Sequence, residues 1–170
     1  MTVNINPVPR TDVQSRLSVM DVDWRELTRA ANAEFNAGRH IAAKDTYDLA
    51  LSTSRRLLDL AAKGGPGVET APPRFVVSTL NAVRNARAAG LQDLMQDLLA
   101  SAADVFIDQL SAKQPMSGFG EACAVHLPVL MRGYLNEIRE AGLDEARYQD
   151  QFERARENAL KYLTKSSIMH

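Results

Sequence analysis

Three Ala-Gly dipeptides, Ala37-Gly38, Ala89-Gly90 and Ala141-Gly142, recur every 52 residues and are the only such pairs in the chain. Each lies between two stretches whose apolar residues fall at helical spacing. Glycine reaches the left-handed backbone conformation that ends a helix, so each pair reads as the turn of a helical hairpin. A unit repeated at a fixed period buries its apolar face by stacking on its neighbours. The pattern predicts an all-α protein of three antiparallel helical hairpins, about six helices, stacked as an α-solenoid. Stacked hairpins form a groove, and a groove points to binding rather than to chemistry.

Composition narrows the partner. At 170 residues the chain is long enough for one well-buried core and too short to need two. Twenty basic side chains against twenty-one acidic ones leave a net charge of −1, which gives no bulk attraction to nucleic acid or membrane. No stretch is apolar for long enough to cross a bilayer. The first ten residues lack the basic and apolar regions of a signal peptide. A single cysteine, Cys123, cannot form an internal disulfide and fits a reducing compartment. The expected location is cytoplasmic.

Residues 1–20, with Pro7 and Pro9, read as a flexible N-terminal arm that could fold over the groove, with Asp12 as a group able to occupy it. That leaves 21–170 as a single helical domain. Asp21 or Asp23 is the expected cap of a first helix from Trp24 to Ala37. A second helix spans about His40 to Ala62, with Ala43, Tyr47, Ala50, Leu51, Leu57, Leu58 and Ala61 facing inward. Lys63-Gly64-Gly65-Pro66-Gly67 breaks it. The third helix runs from Pro73 to Ala89, striped by Val76, Val77, Leu80 and Val83, and the fourth from Leu91 to about Ala112. After a break at Gln114–Gly118, with Ser117 as cap, the fifth runs from Phe119 to Ala141. Pro128 either kinks it or marks its start. The sixth, Asp144 to about Lys165, turns Tyr148, Phe152, Ala155, Ala159, Leu160 and Leu163 inward.

In the first hairpin Gly38 occupies the turn, Ala31 and Ala43 the sites where two helices cross closely, Tyr47 an aromatic site and Ala50-Leu51 the next small–large pair. In this it resembles a tetratricopeptide repeat. The second hairpin keeps Ala89-Gly90 and Ala102 but carries Met95 at the small site, and the third carries Arg147 there. The 52-residue spacing exceeds that family's 34 and implies longer helices and linkers. The small chaperones of type III secretion are similar in size. The resemblance implies that the first helix of each hairpin lines a concave surface, which makes its polar residues the candidate site.

Those helices carry Arg25, Arg29, Asn32 and Asn36 in one stripe, then Asn81 and Arg84 with Asn85 and Arg87, then Arg132, Asn136 and Arg139. The third helix has no acidic residue, whereas the fourth carries Asp93, Asp97, Asp104 and Asp108. An Asn side chain both donates and accepts, which suits an extended peptide backbone, and Arg forks onto carboxylates. Family members that hold peptide C-termini use a comparable pattern, matched best here by Arg29, Asn32 and Asn81, with Thr28 where a basic residue is expected. The expected partner is a protein or peptide with an acidic or C-terminal carboxylate group. The competing reading of the same residues is a solvated helix face.

Cys123 and His126, three apart with Glu121 nearby, could be drawn as a nucleophile and base or as metal ligands. No third group orients the His, a metal needs more ligands, and the flanking Ala122, Val125 and Leu127 read as core. Lys63–Gly67 lacks the Gly-Lys-Ser/Thr ending of a phosphate-binding loop. Arg55-Arg56, with Asp59 a turn later, reads as surface, and Trp24 as core. No catalytic residue, metal site or cofactor is expected. Two functional classes remain: a chaperone-like adaptor that holds a peptide, and a structural six-helix bundle that pairs with a second copy.

Overall fold

A computed structural model describes residues 10–111 and 118–168. These form helices α1 (Arg10–Asn36), α2 (His40–Ala62), α3 (Ala71–Ala88), α4 (Gln92–Ser111), α5 (Gly118–Glu140) and α6 (Gln149–Ile168), with a 3₁₀ turn over Glu145–Tyr148. Among the described residues there is no strand.

The three Ala-Gly pairs close helices in the same way. Gly38, Gly90 and Gly142 have φ of 73°, 73° and 68°. In the first, the Gly38 N–H donates to the Phe35 carbonyl at 2.9 Å and the Arg39 N–H to the Glu34 carbonyl at 3.0 Å. The same two bonds recur at Gly90 and Leu91, to Arg87 and Ala86, and at Gly142 and Leu143, to Arg139 and Ile138. This six-to-one and five-to-two pair satisfies carbonyls the helix end leaves open. A Cβ on any of the three would meet nothing within 4 Å. Backbone conformation alone therefore demands glycine, at about 1 kcal/mol per site. Gly65 differs: a Cβ there would lie 2.6 Å from the Leu60 carbonyl oxygen, so close approach requires it.

The N-terminal boundary departs from expectation. Helix α1 starts at Arg10, so residues 10–20 are helical and not a flexible arm; residues 1–9 lie outside the described residues. Val13, Leu17, Met20 and Trp24 repeat at intervals of four, three and four, which is helical periodicity. Asp21 accordingly sits inside the helix and caps nothing. It pairs with Arg25 at 2.9 Å and with Arg74 of α3 at 2.6 Å. Pro72 and Pro73 begin α3, where the missing N–H has no partner to lose. Pro128 lies within α5 and does not mark its start. The break at 112–117, with Ser117, falls outside the described residues.

Packing proceeds in chain order. Helix α2 packs on α1 and α3, α4 on α3, and α5 on both α3 and α4, while α6 closes against α4 and α5. Ala31 and Ala43, the small residues where α1 meets α2, are fully buried, beside buried Tyr47. The main core runs from Leu57 and Leu58 through Phe75, Val83, Met95 and Phe106 to Leu127, Tyr134 and Ala155. Side chains tie successive hairpins together about one repeat length apart. The Trp24 indole donates to Ser78 Oγ at 2.7 Å, Asn85 to the His40 carbonyl at 3.0 Å, and Gln151 to the Ala100 carbonyl at 3.2 Å. Four residues expected to face inward or to lie in the core do not: Val77, Val125, Leu160 and Leu163 are exposed. Helix α3 is covered on several sides and α6 on fewer, so the same periodicity buries different fractions of each.

Candidate functional site

On α1, Arg25, Arg29, Asn32 and Asn36 are all exposed, four residues of one stripe. They are not equivalent. Arg25 is held by Asp21, and Asn32 Oδ1 accepts the Tyr47 hydroxyl at 2.7 Å, which ties it to α2. Arg29 forms no salt bridge among the described residues. Thr28, which stands where a basic residue is expected, donates to the Trp24 carbonyl at 2.8 Å and is spent within its own helix.

On α3 the stripe is narrower because neighbours flank it on both sides. Asn81 is half-buried and Arg84 is exposed. Asn85 is buried on the His40 carbonyl, so it belongs to the packing. Arg84 and Arg87 converge on one carboxylate of α5, Glu137. Arg87 Nε lies 2.8 Å from Oε2 and Arg84 Nε lies 3.5 Å from Oε1, while Glu140 stands 3.9 Å from Arg87. Glu137 is only 5% exposed, so its charge is compensated by the two arginines and little by water. Sequence reasoning missed Glu137. The available signal was its offset of 50 and 53 residues from Arg87 and Arg84, close to one repeat length.

On α5, Arg132 and Asn136 are exposed, and Arg132 has no salt bridge among the described residues. Arg139 instead forks onto Glu145 of the 3₁₀ turn at 2.6 and 3.1 Å. The acidic residues of α4, Asp93, Asp97, Asp104 and Asp108, are all exposed along one face. The charge polarity hidden by a net charge near zero is thus a surface property.

Cys123 is fully buried and His126 half-buried. Burial pushes the Cys123 thiol up from 9.0 to about 12, so it holds almost no thiolate at neutral pH. In the native protein at pH 8, alkylation or disulfide exchange at Cys123 is expected to be near zero and to reach the rate of a free thiol on denaturation. The unfolded thiol ionises near 9.0 while the buried one resists. Its contribution to stability is therefore intact below about pH 9 and is lost as pH rises toward about 12. Urea midpoints measured between pH 7 and 11 check the sign, and Cys123→Ala should flatten that alkaline limb. Among the described residues no three His, Cys, Asp or Glu side chains cluster as metal ligands. No described helix is long and apolar enough to cross a membrane.

The candidate residues therefore form exposed polar stripes on the leading helix of each hairpin, not a pocket of convergent titratable groups. The fold and these faces define an all-α protein of three helical hairpins. Compared with family models, with curated proteins and with solved structures, the chain has no match.

Proposed function

We propose that the chain is a protein–protein interaction module of tetratricopeptide-like hairpins, an adaptor or chaperone-like carrier that holds a peptide against the exposed stripes of α1, α3 and α5. The observation that carries this reading is Arg29 and Arg132, exposed and without an internal carboxylate, on leading helices either side of an α3 that has no acidic residue. Asn36 and Asn136, exposed beside them, offer a donor and an acceptor each to a peptide backbone. Arg84 faces Glu137 through Nε, so its terminal nitrogens are left for a ligand carboxylate. The bound segment is extended or a short helix, with an acidic side chain or free C-terminus near Arg29 or Arg84.

The test uses a fluorescent decapeptide ending in Asp and Glu with a free carboxylate, against its C-terminally amidated, Asn- and Gln-substituted form. Arg29→Ala with Arg84→Ala should weaken binding of the acidic peptide by about tenfold or more, as expected for losing charge-assisted contacts. Raising salt should weaken it further. The double variant should keep its helical circular dichroism, because both side chains are exposed. Unchanged affinity in a folded double variant rules this face out.

A further inference from the structure

An apolar groove of about 410 Å³ runs between α5 and α6, floored by Leu127, Met131, Leu135, Phe152 and Ala159. Leu160 and Leu163, apolar residues expected to face inward, stand exposed along it, 52% and 36% accessible. Its position in the stack explains why it is open. The α1–α2 hairpin is covered by α3, which packs on α2 and reaches α1 through Ser78 and Arg74. The α3–α4 hairpin is covered in turn by α5, which touches both. No described element covers α5–α6 in the same way.

Its dimensions fit the same kind of occupant. The lining extends from Leu127 to Leu135 on α5 and from Phe152 to Leu163 on α6, about 12 Å and 16 Å at 1.5 Å per residue. That is two to three turns of helix. Among the described residues two charged side chains line it, Arg132 on one wall and Arg156 on the other. Both are exposed, and neither forms a salt bridge among the described residues. A symmetric pairing of this groove with that of a second copy would bring four arginines together with no acidic residue among the described lining residues to offset them. The charge instead selects a partner of opposite sign.

We propose that the α5–α6 groove docks an amphipathic helix of another protein. Apolar residues at i, i+3 or i+4, and i+7 fill the floor, and carboxylates on the flanks of that face meet Arg132 and Arg156. The occupant takes the place that the next leading helix would hold in the stack. This is the helix-in-groove mode of recognition. It is separate from the peptide face proposed above, which meets the groove only at Arg132.

The test uses two synthetic helices of about three turns, alike in their leucines and differing only in glutamate or lysine at the flanking positions. The glutamate helix should bind the full chain about tenfold or more tightly than the lysine helix, with affinity falling as salt rises. Arg156→Glu, whose charge Arg132 then balances, should erase that preference, and Leu160→Asp should abolish binding of both. Leu160 and Arg156 are exposed, so unchanged circular dichroism separates docking from folding. Arg29→Ala with Arg84→Ala should leave the helix affinity unchanged, which distinguishes failure here from failure of the peptide face. Equal binding of the two helices, or none, overturns the proposal. So does a stable dimer in sedimentation that Leu160→Asp dissociates, since a second copy would then be the occupant.

Discussion

Tyr134→Ala is expected to destabilise the protein by about 3–5 kcal/mol, the range for removing a large aromatic side chain from a core. Tyr134 is fully buried, and its ring meets Tyr148 and Phe152 edge to face, with centroids 5.6 and 5.0 Å away. Its hydroxyl donates to Gln151 Oε1 at 2.9 Å, and Gln151 donates onward to the Ala100 carbonyl of α4. One side chain of α5 thus joins the 3₁₀ turn, α6 and α4. Losing it leaves a cavity where three elements meet, together with a glutamine that loses its donor. Small domains are stable by only about 5–15 kcal/mol, so this substitution alone should melt much of the last hairpin at physiological temperature. Tyr134→Phe separates the two parts. It keeps the ring and should cost only about 1–2 kcal/mol for the unmade hydrogen bond. Urea denaturation of both variants checks the ranking. A cost below about 1 kcal/mol for Tyr134→Ala would mean that the last hairpin is held elsewhere.

Arg87→Ala has the next largest expected effect, about 2–3 kcal/mol. Removing one partner of a buried ion pair leaves an uncompensated charge and costs about 3–5 kcal/mol. Here the full penalty is not reached, because Arg84 still stands 3.5 Å from Glu137. Arg84→Ala should cost much less, since that contact is longer and its side chain is 58% exposed. The informative comparison is Arg87→Met with Glu137→Leu. It removes the buried carboxylate together with its main partner and should recover most of the loss. Thermal and urea midpoints read both. If the double variant is as unstable as Arg87→Ala, then it is the packing of the arginine stem, rather than the stranded carboxylate, that matters. Glu137→Gln carries a functional corollary, because it releases Arg84 from its internal anion. Under the proposed function, the acidic decapeptide should bind that variant more tightly than it binds wild type.

The two outcomes bear differently on the proposed surfaces. Tyr134 packs against Phe152, which lines the α5–α6 groove, so its loss should remove helix docking and weaken the peptide face less. Arg87 and Glu137 join α3 to α5, the two leading helices of the second and third hairpins. Their separation should disturb the peptide face first.

Much of the architecture was legible because it is local. The hairpin turns follow from glycine at positive φ and two backbone hydrogen bonds spanning six residues, and all three Ala-Gly pairs close in that way. The bounds of α2 follow from the periodicity between Gly38 and the Lys63–Gly67 break. Helix α1 differs from expectation at its start, because the regular apolar spacing continues back to Val13, past the point where Pro7 and Pro9 suggest an arm. The candidate stripes were legible as helix faces, and most of their residues are exposed. Their electrostatic state was not legible. Arg29 and Arg132 look alike in sequence to Arg25, Arg84 and Arg139, yet the last three are held by Asp21, Glu137 and Glu145.

The sequence by itself determined the helices, their turns and their order, because each depends on residues within a few positions of one another. Only the tertiary structure decided which apolar faces are covered and which charges are neutralised. Leu160 and Leu163 have the spacing of core residues and remain exposed because no described element covers the groove between α5 and α6. Glu137 has the chemistry of a surface residue and is buried because two arginines about fifty positions away compensate its charge. Burial and charge compensation depend on neighbours brought close by packing, and no local pattern encodes those distances.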